Sequence, residues 1–108
     1  MSKSIMQNSE RCYLTGSEMF LERHHVMNGS GVRSKAEHDG LWIYLTHYVH
    51  RWIHDTGSGA EFAKHLKAQA QHAYEKRFSH KQWMRRYKKD YSDYYDKDIG
   101  ELYRYWNK

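Results

Sequence analysis

At 108 residues the chain has room for one domain with one modest core, and not for two. A formal net charge of +5 and a pI near 9.3 favour a polyanionic partner, nucleic acid being the commonest; a basic domain without such a partner is the alternative. The single cysteine, Cys12, excludes an internal disulfide framework and an all-cysteine zinc site, no apolar run reaches the length of a membrane span, and residues 1–12 lack the apolar stretch of a secretion signal, so a soluble, cytoplasmic protein is expected.

In chain order, residues 1–9 are polar and expected to form a flexible N-terminus. Leu21-Glu22-Arg23-His24-His25-Val26 reads as a strand, running into a turn at Asn28-Gly29-Ser30-Gly31. Residues 33–38 are compatible with a helix that Asp39-Gly40 closes. Leu41-Trp42-Ile43-Tyr44-Leu45 has the apolar and aromatic content of a second, mostly buried strand. Thr46 suits the N-cap of a helix carrying His47, His50 and His54, and Gly57-Ser58-Gly59 is expected to stop it. From 60 to 78 the spacing of Phe62, Leu66, Ala70, Tyr74 and Phe78 predicts one amphipathic helix. Ser79 and Gln82 have the spacing of a capping box for a short helix with Trp83, Met84 and Tyr87. Tyr91, Tyr95, Ile99, Leu102, Tyr103 and Trp106 predict a last helix within 91–108 whose stripe is core or docking surface. The result is an α+β fold: a small β-hairpin, a helix rich in histidine and a C-terminal helical buttress.

Nine histidines are many for this length, and four of them stand in two clusters separated by one predicted strand. His24 and His25 end the first strand, where adjacent side chains point to opposite faces. One imidazole can then bind a metal while its neighbour faces elsewhere, and strand-end twist lets both border one cleft. His50 and His54 are four apart on a helix, so their rings share a face and can converge on one divalent ion. In a chain this rich in histidine, such spacing also arises by chance. A metalloprotease helix would need Glu directly after the first histidine, and Arg51 stands there.

The order of the pieces carries more. Cys12-Tyr-Leu-Thr-Gly16, Leu21-Glu-Arg-His-His-Val26, Gly40-Leu-Trp-Ile-Tyr-Leu45 and His50-Arg-Trp-Ile-His54 together resemble the HNH (ββα-metal) endonuclease pattern. The chain is similar in particular to short phage-encoded HNH proteins related to phage recombination-enhancing nucleases. The resemblance spans residues 10–91, leaving 92–108 as a C-terminal amphipathic helix. It implies a metal-dependent DNA endonuclease or nickase, phage or prophage encoded, with His24, His50 and His54 as metal ligands and His25 as general base. One divalent ion is implied: zinc, nickel or cobalt by the preference of imidazole donors, with magnesium or manganese still workable. The sequence departs from the pattern in two places. Where many relatives carry two CxxC pairs, this chain has Cys12 with Thr15 and Thr46 with Val49, so no structural zinc is expected. The middle asparagine falls at Leu41, leaving Asn28, Asp39 or a backbone carbonyl to orient a histidine.

Arg23, Arg33 and Lys35 lie close in sequence to the histidines and are candidate phosphate contacts, as is the basic stretch of Lys81, Arg85, Arg86, Lys88 and Lys89. Trp83 and Tyr87 within that stretch can stack bases, but their period places them on the core side. From a different class, the same residues suit a non-catalytic HNH-derived module binding nucleic acid or a host protein.

Overall fold

The computed structural model describes residues 3–107. Strand β1 (Leu21–His25) and strand β2 (Trp42–Thr46) form an antiparallel pair, with helix α1 (Val32–Asp39) in the connection between them. Helix α2 (His47–Asp55) follows β2 without a loop, then α3 (Gly57–Glu75), α4 (His80–Tyr87), a single 3₁₀ turn at Ser92–Tyr94, and α5 (Ile99–Trp106). This is a small α+β domain. No helix among the described residues is long and apolar enough to cross a membrane.

The register decides which face each strand residue serves. His24 pairs with Ile43 and Glu22 with Leu45, and these four side chains share the face toward α2. Arg23, opposite Tyr44, and His25, opposite Trp42, take the other face. Ile43 and Leu45 are fully buried there, together with Val49 and Ile53 from α2. The core continues along α3, where Phe62, Leu66, Ala70 and Tyr74 form one buried stripe. Trp52 of α2 and Tyr103 of α5 meet edge to face, with ring centroids 5.2 Å apart, and both flank Phe62. Each large apolar side chain buried here contributes about 1.5–3 kcal/mol, so the helices are a buttress in the energetic sense: a hairpin of two strands is marginal alone.

Four local expectations need correction. Residues 57–59 do not end α2; they open α3, because Thr56 caps it by accepting from the Gly59 amide. Gly59 is needed for contact: a Cβ there would lie 1.9 Å from the Trp52 carbonyl oxygen. Second, α3 ends at Glu75, and Phe78 is half exposed, its ring resting on Tyr74. The third concerns 91–108, which is not one helix. The Asp90 carboxylate accepts from the Ser92 amide and Asp96 from the Asp98 amide, and such side-chain turns compete with helix. Finally, the N-terminal segment is docked from Ser4 to Gln7. Ser4 Oγ donates to the Trp42 carbonyl, the Ile5 amide to Gly40, and the Tyr44 amide to Gln7 Oε1. The segment thereby covers the open edge of β2, whose unpaired backbone would otherwise face solvent. Gly40, at φ 74°, permits that approach, since a Cβ would sit 2.4 Å from the Lys3 carbonyl oxygen.

Thr46 opens α2 without a capping bond, its hydroxyl donating instead to the Met19 carbonyl, whereas the capping box and the core positions of Trp83 and Tyr87 hold. Ser79 and Gln82 form a reciprocal capping box. Trp83 is fully buried and its indole N–H donates to the Lys89 carbonyl, and Tyr87 is buried beside it, so both belong to the core.

Candidate metal centre

Strand and helix periodicity bring three imidazoles together. His24 leaves β1 on the α2 side, and His50 and His54 present one face of α2 toward it. Ring centroids are 5.2 Å apart for His24 and His50, 5.5 Å for His24 and His54, and 4.8 Å for His50 and His54. One ligand nitrogen from each lies within 4.8 Å of the others, the sole such grouping of possible ligands among the described residues. His24 is buried, His50 half-buried and His54 exposed. Burial, reinforced by the neighbouring imidazoles and by Lys67, pushes the His24 ring down to about 3. It is therefore neutral near pH 7, the form that binds a cation. Three imidazoles this close together offer a donor set that a divalent ion could use.

A carboxylate that the sequence reading missed supports this cluster. Glu22, two residues before His24 and on the same face, reaches His50 Nδ1 at 2.8 Å and His47 Nδ1 at 2.7 Å. With Nδ1 engaged, His50 has its Nε2 left for a ligand, the usual arrangement of a metal-site histidine. The two imidazoles hold the Glu22 carboxyl below the ordinary range.

His25 emerges on the opposite strand face yet lines the same cleft, a cavity of about 190 Å³ whose walls also include Arg23, His24, Asn28, Arg33, His50 and His54. Its Nε2 lies 3.0 Å from Glu37 Oε1, and its Nδ1 accepts from Arg33 Nε at 3.3 Å. An arginine N–H only donates, so the imidazole proton resides on Nε2 and is given to Glu37. Glu37 also takes two bonds from Arg23, at 2.9 and 3.2 Å. These partners, His25 first, hold its carboxyl below the ordinary range.

The side chain that meets His25 is thus Glu37 of α1, and not Asn28 or Asp39. Asn28 is at the cleft wall, whereas Asp39 points away from it, accepting from Arg86 Nε and from the Tyr87 hydroxyl at 2.6 Å. The reason is helical: Glu37 and Asp39 are two apart on α1 and so face different directions.

The basic residues divide likewise. Arg33 is exposed at the cleft; Arg23 is there too but bound to Glu37, its guanidinium 3.7 Å above the Trp42 ring. Lys35 turns to the Arg86 carbonyl at 3.5 Å. Lys81, Arg85, Lys88 and Lys89 are exposed, while Arg86 is committed to Asp39.

Other histidines serve packing. His65 contacts the Tyr94 carbonyl, His72 stacks on Tyr95 at 4.1 Å, and His80 pairs with Glu75. In comparisons with known proteins, no family model, no curated protein and no solved structure matches this chain.

Proposed function

We propose that this chain is a metal-dependent DNA endonuclease or nickase of the HNH kind, hydrolysing phosphodiester bonds at the His24–His25–His50–His54 cleft. The observation that carries the reading is the convergence of three ligand-competent imidazoles with a fourth held at the same cavity by a carboxylate. A strand pair followed directly by the helix bearing two of those histidines agrees with the sequence resemblance.

His24, His50 and His54 would hold the ion. When bound it supplies positive charge to a phosphate oxygen and to the departing 3′ oxygen. His25 is the base. Its Nδ1 lone pair takes a proton from water, the water oxygen forms a bond to phosphorus, and the bond from phosphorus to the 3′ oxygen breaks. The 3′ oxygen then gains a proton from solvent. Glu37 accepts the Nε2–H throughout, so that the imidazolium formed at His25 faces a carboxylate. Arg33 releases Nδ1 on substrate arrival and turns to a phosphate, as a guanidinium prefers a charged acceptor over a neutral ring nitrogen.

Nicking of supercoiled plasmid with each divalent metal in turn tests the proposal. The expected result is metal-dependent nicking that chelation abolishes and that His25→Ala lowers by about 10²–10⁴-fold. Metal analysis run alongside should find one ion per chain, retained in His25→Ala and lost in His50→Ala and His54→Ala. No cutting with any metal would overturn the catalytic reading in favour of a binding module, the alternative that the buried Leu41 in place of the pattern's asparagine favours.

A further inference from the structure

Outside the cleft, cations gather around two tyrosines along one edge of α3 and the chain that follows α4. Lys67 Nζ lies 5.7 Å from the centre of the Tyr91 ring and Lys89 Nζ 5.3 Å from it, so two ammonium groups share one aromatic ring. One turn earlier on α3, Lys64 Nζ lies 6.0 Å from the Tyr94 ring. Lys64 is paired with Glu61 at 3.2 Å. Neither Lys67 nor Lys89 has a carboxylate partner among the described residues. Asp90, the nearest acid in sequence, is turned to Gln71 and the Ser92 amide.

Holding like charges together costs energy, and no described carboxylate pairs with Lys67 or Lys89. Lys67 is half-buried, and burial together with the charges of Lys89 and Lys64 lowers the affinity of its amine for a proton. The ring between the two ammonium groups offsets part of that repulsion, by about 0.5–1 kcal/mol per contact at an exposed site. An anion crossing the ridge would offset much more.

We infer that Lys67 and Lys89, set on Tyr91, form a phosphate-binding ridge that guides a nucleic-acid strand to the histidine cleft. This deepens the nuclease reading and rests on it for the direction of the strand, though not for the binding itself. Lysines set on the half-buried Tyr91 suit a backbone whose phosphates meet the ammonium groups, without reading base sequence. The ridge, and not the exposed cations of α4, is then the main electrostatic contact.

The test is binding of a fluorescently labelled 20-nucleotide duplex and of the matching single strand, in EDTA so that no cleavage intervenes, across a series of salt concentrations. Lys67→Met keeps the apolar stem where the side chain is half-buried, and Lys89→Ala removes an exposed group. The double variant should lose about 10-fold or more in affinity, and the log-affinity slope against log-salt on duplex should fall by about 1.8, or about 0.9 for each contact. Arg85→Ala with Lys88→Ala should change both much less. Metal content and thermal melting, measured on the same variants, separate lost binding from lost folding. Unchanged affinity and slope in the folded double variant would overturn the ridge. So would equal or tighter binding of wild type to anionic phosphatidylserine vesicles lost in the same variant, since the partner would then be a membrane surface. Plasmid nicking keeps the two readings apart: ridge-dependent binding without cutting would sink the nuclease and leave the ridge standing.

Discussion

His25 has two ring nitrogens with different neighbours, and that difference is the finest feature of the site. Glu37 fixes the proton on Nε2, and Arg33 marks Nδ1 as the acceptor facing the cavity. If this assignment governs activity, removing the carboxylate should release the tautomer without touching the metal ligands. Glu37→Ala is expected to lower nicking by about 10-fold or more, within the roughly 10²–10⁴-fold that the base itself supplies, with metal content unchanged. In ¹⁵N spectra of histidine-labelled protein, His25 should pass from the Nε2–H form to a mixture. Glu37→Gln retains an acceptor oxygen and should restore both readouts in part. An unaltered His25 spectrum in the alanine variant would remove Glu37 from the mechanism. Glu22 does the same service for His50, so carboxylates 28 residues before one histidine and 12 after another complete what four imidazoles begin.

At the scale of elements, the corner between α3 and α4 is tied by side chains and not by apolar contact alone. His80 Nδ1 meets Glu75 Oε2 at 2.8 Å, and Gln71 Nε2 bridges Glu75 and Asp90. The hydrogen bond to Glu75 raises the affinity of His80 for its proton, so its contribution is complete below the unfolded value near 6.5 and fades as pH rises through the raised folded value. Asp90 goes the other way. The Ser92 amide, Gln71 and the Ser92 side chain push it down to about 2, so its contribution is present above the unfolded value near 3.9 and is lost as pH falls toward 2. The corner should therefore be tightest between about pH 4 and 6.5. Amide exchange of α4 measured across pH, corrected for intrinsic rates, should show opening on the alkaline side in wild type. Glu75→Gln should abolish that alkaline step, and its persistence would assign the change to another group. His80 and Asp90 are exposed and Glu75 only half-buried, so the effect is local and salt-sensitive.

For the whole molecule, the connection that matters is α1 to α4. Helix α1 lies in the hairpin connection and carries Glu37, while Asp39 on its far side accepts from Arg86 and Tyr87. The buttress thus holds the element that holds His25. Asp39 is only 11% exposed, so loss of Arg86 leaves a largely buried carboxylate with one donor fewer. Arg86→Leu should destabilise the protein by about 1–3 kcal/mol, whereas Arg85→Leu, one residue away and exposed, should stay within about 0.5 kcal/mol. Urea unfolding of the two variants gives the comparison, and equal midpoints would mean that the ion pair contributes nothing. Arg86 is consequently a poor reporter of nucleic-acid binding, because its charge is spent inside the fold.

What the sequence by itself determined is most of what depends on backbone period, though the local turns at Asp90 and Asp96 and the cap at Thr56 escaped it. The strand ending in His24-His25, the i,i+4 pair His50 and His54, the apolar stripe of α3 and the capping box at Ser79 all follow from backbone periods of two and 3.6. The α+β class and the three converging imidazoles were legible on that basis. Only the tertiary structure decided the partners. Glu37 reaches His25 across 12 residues, Glu22 reaches His50 across 28, and Asp39 reaches Arg86 across 47. Which acid meets which base over such distances is set by how helices pack, and local spacing carries no record of it. The same holds for Ser4 and Gln7, whose polar character reads as a loose end. It is the uncovered edge of β2, created only when the hairpin forms, that gives those side chains backbone groups to bind.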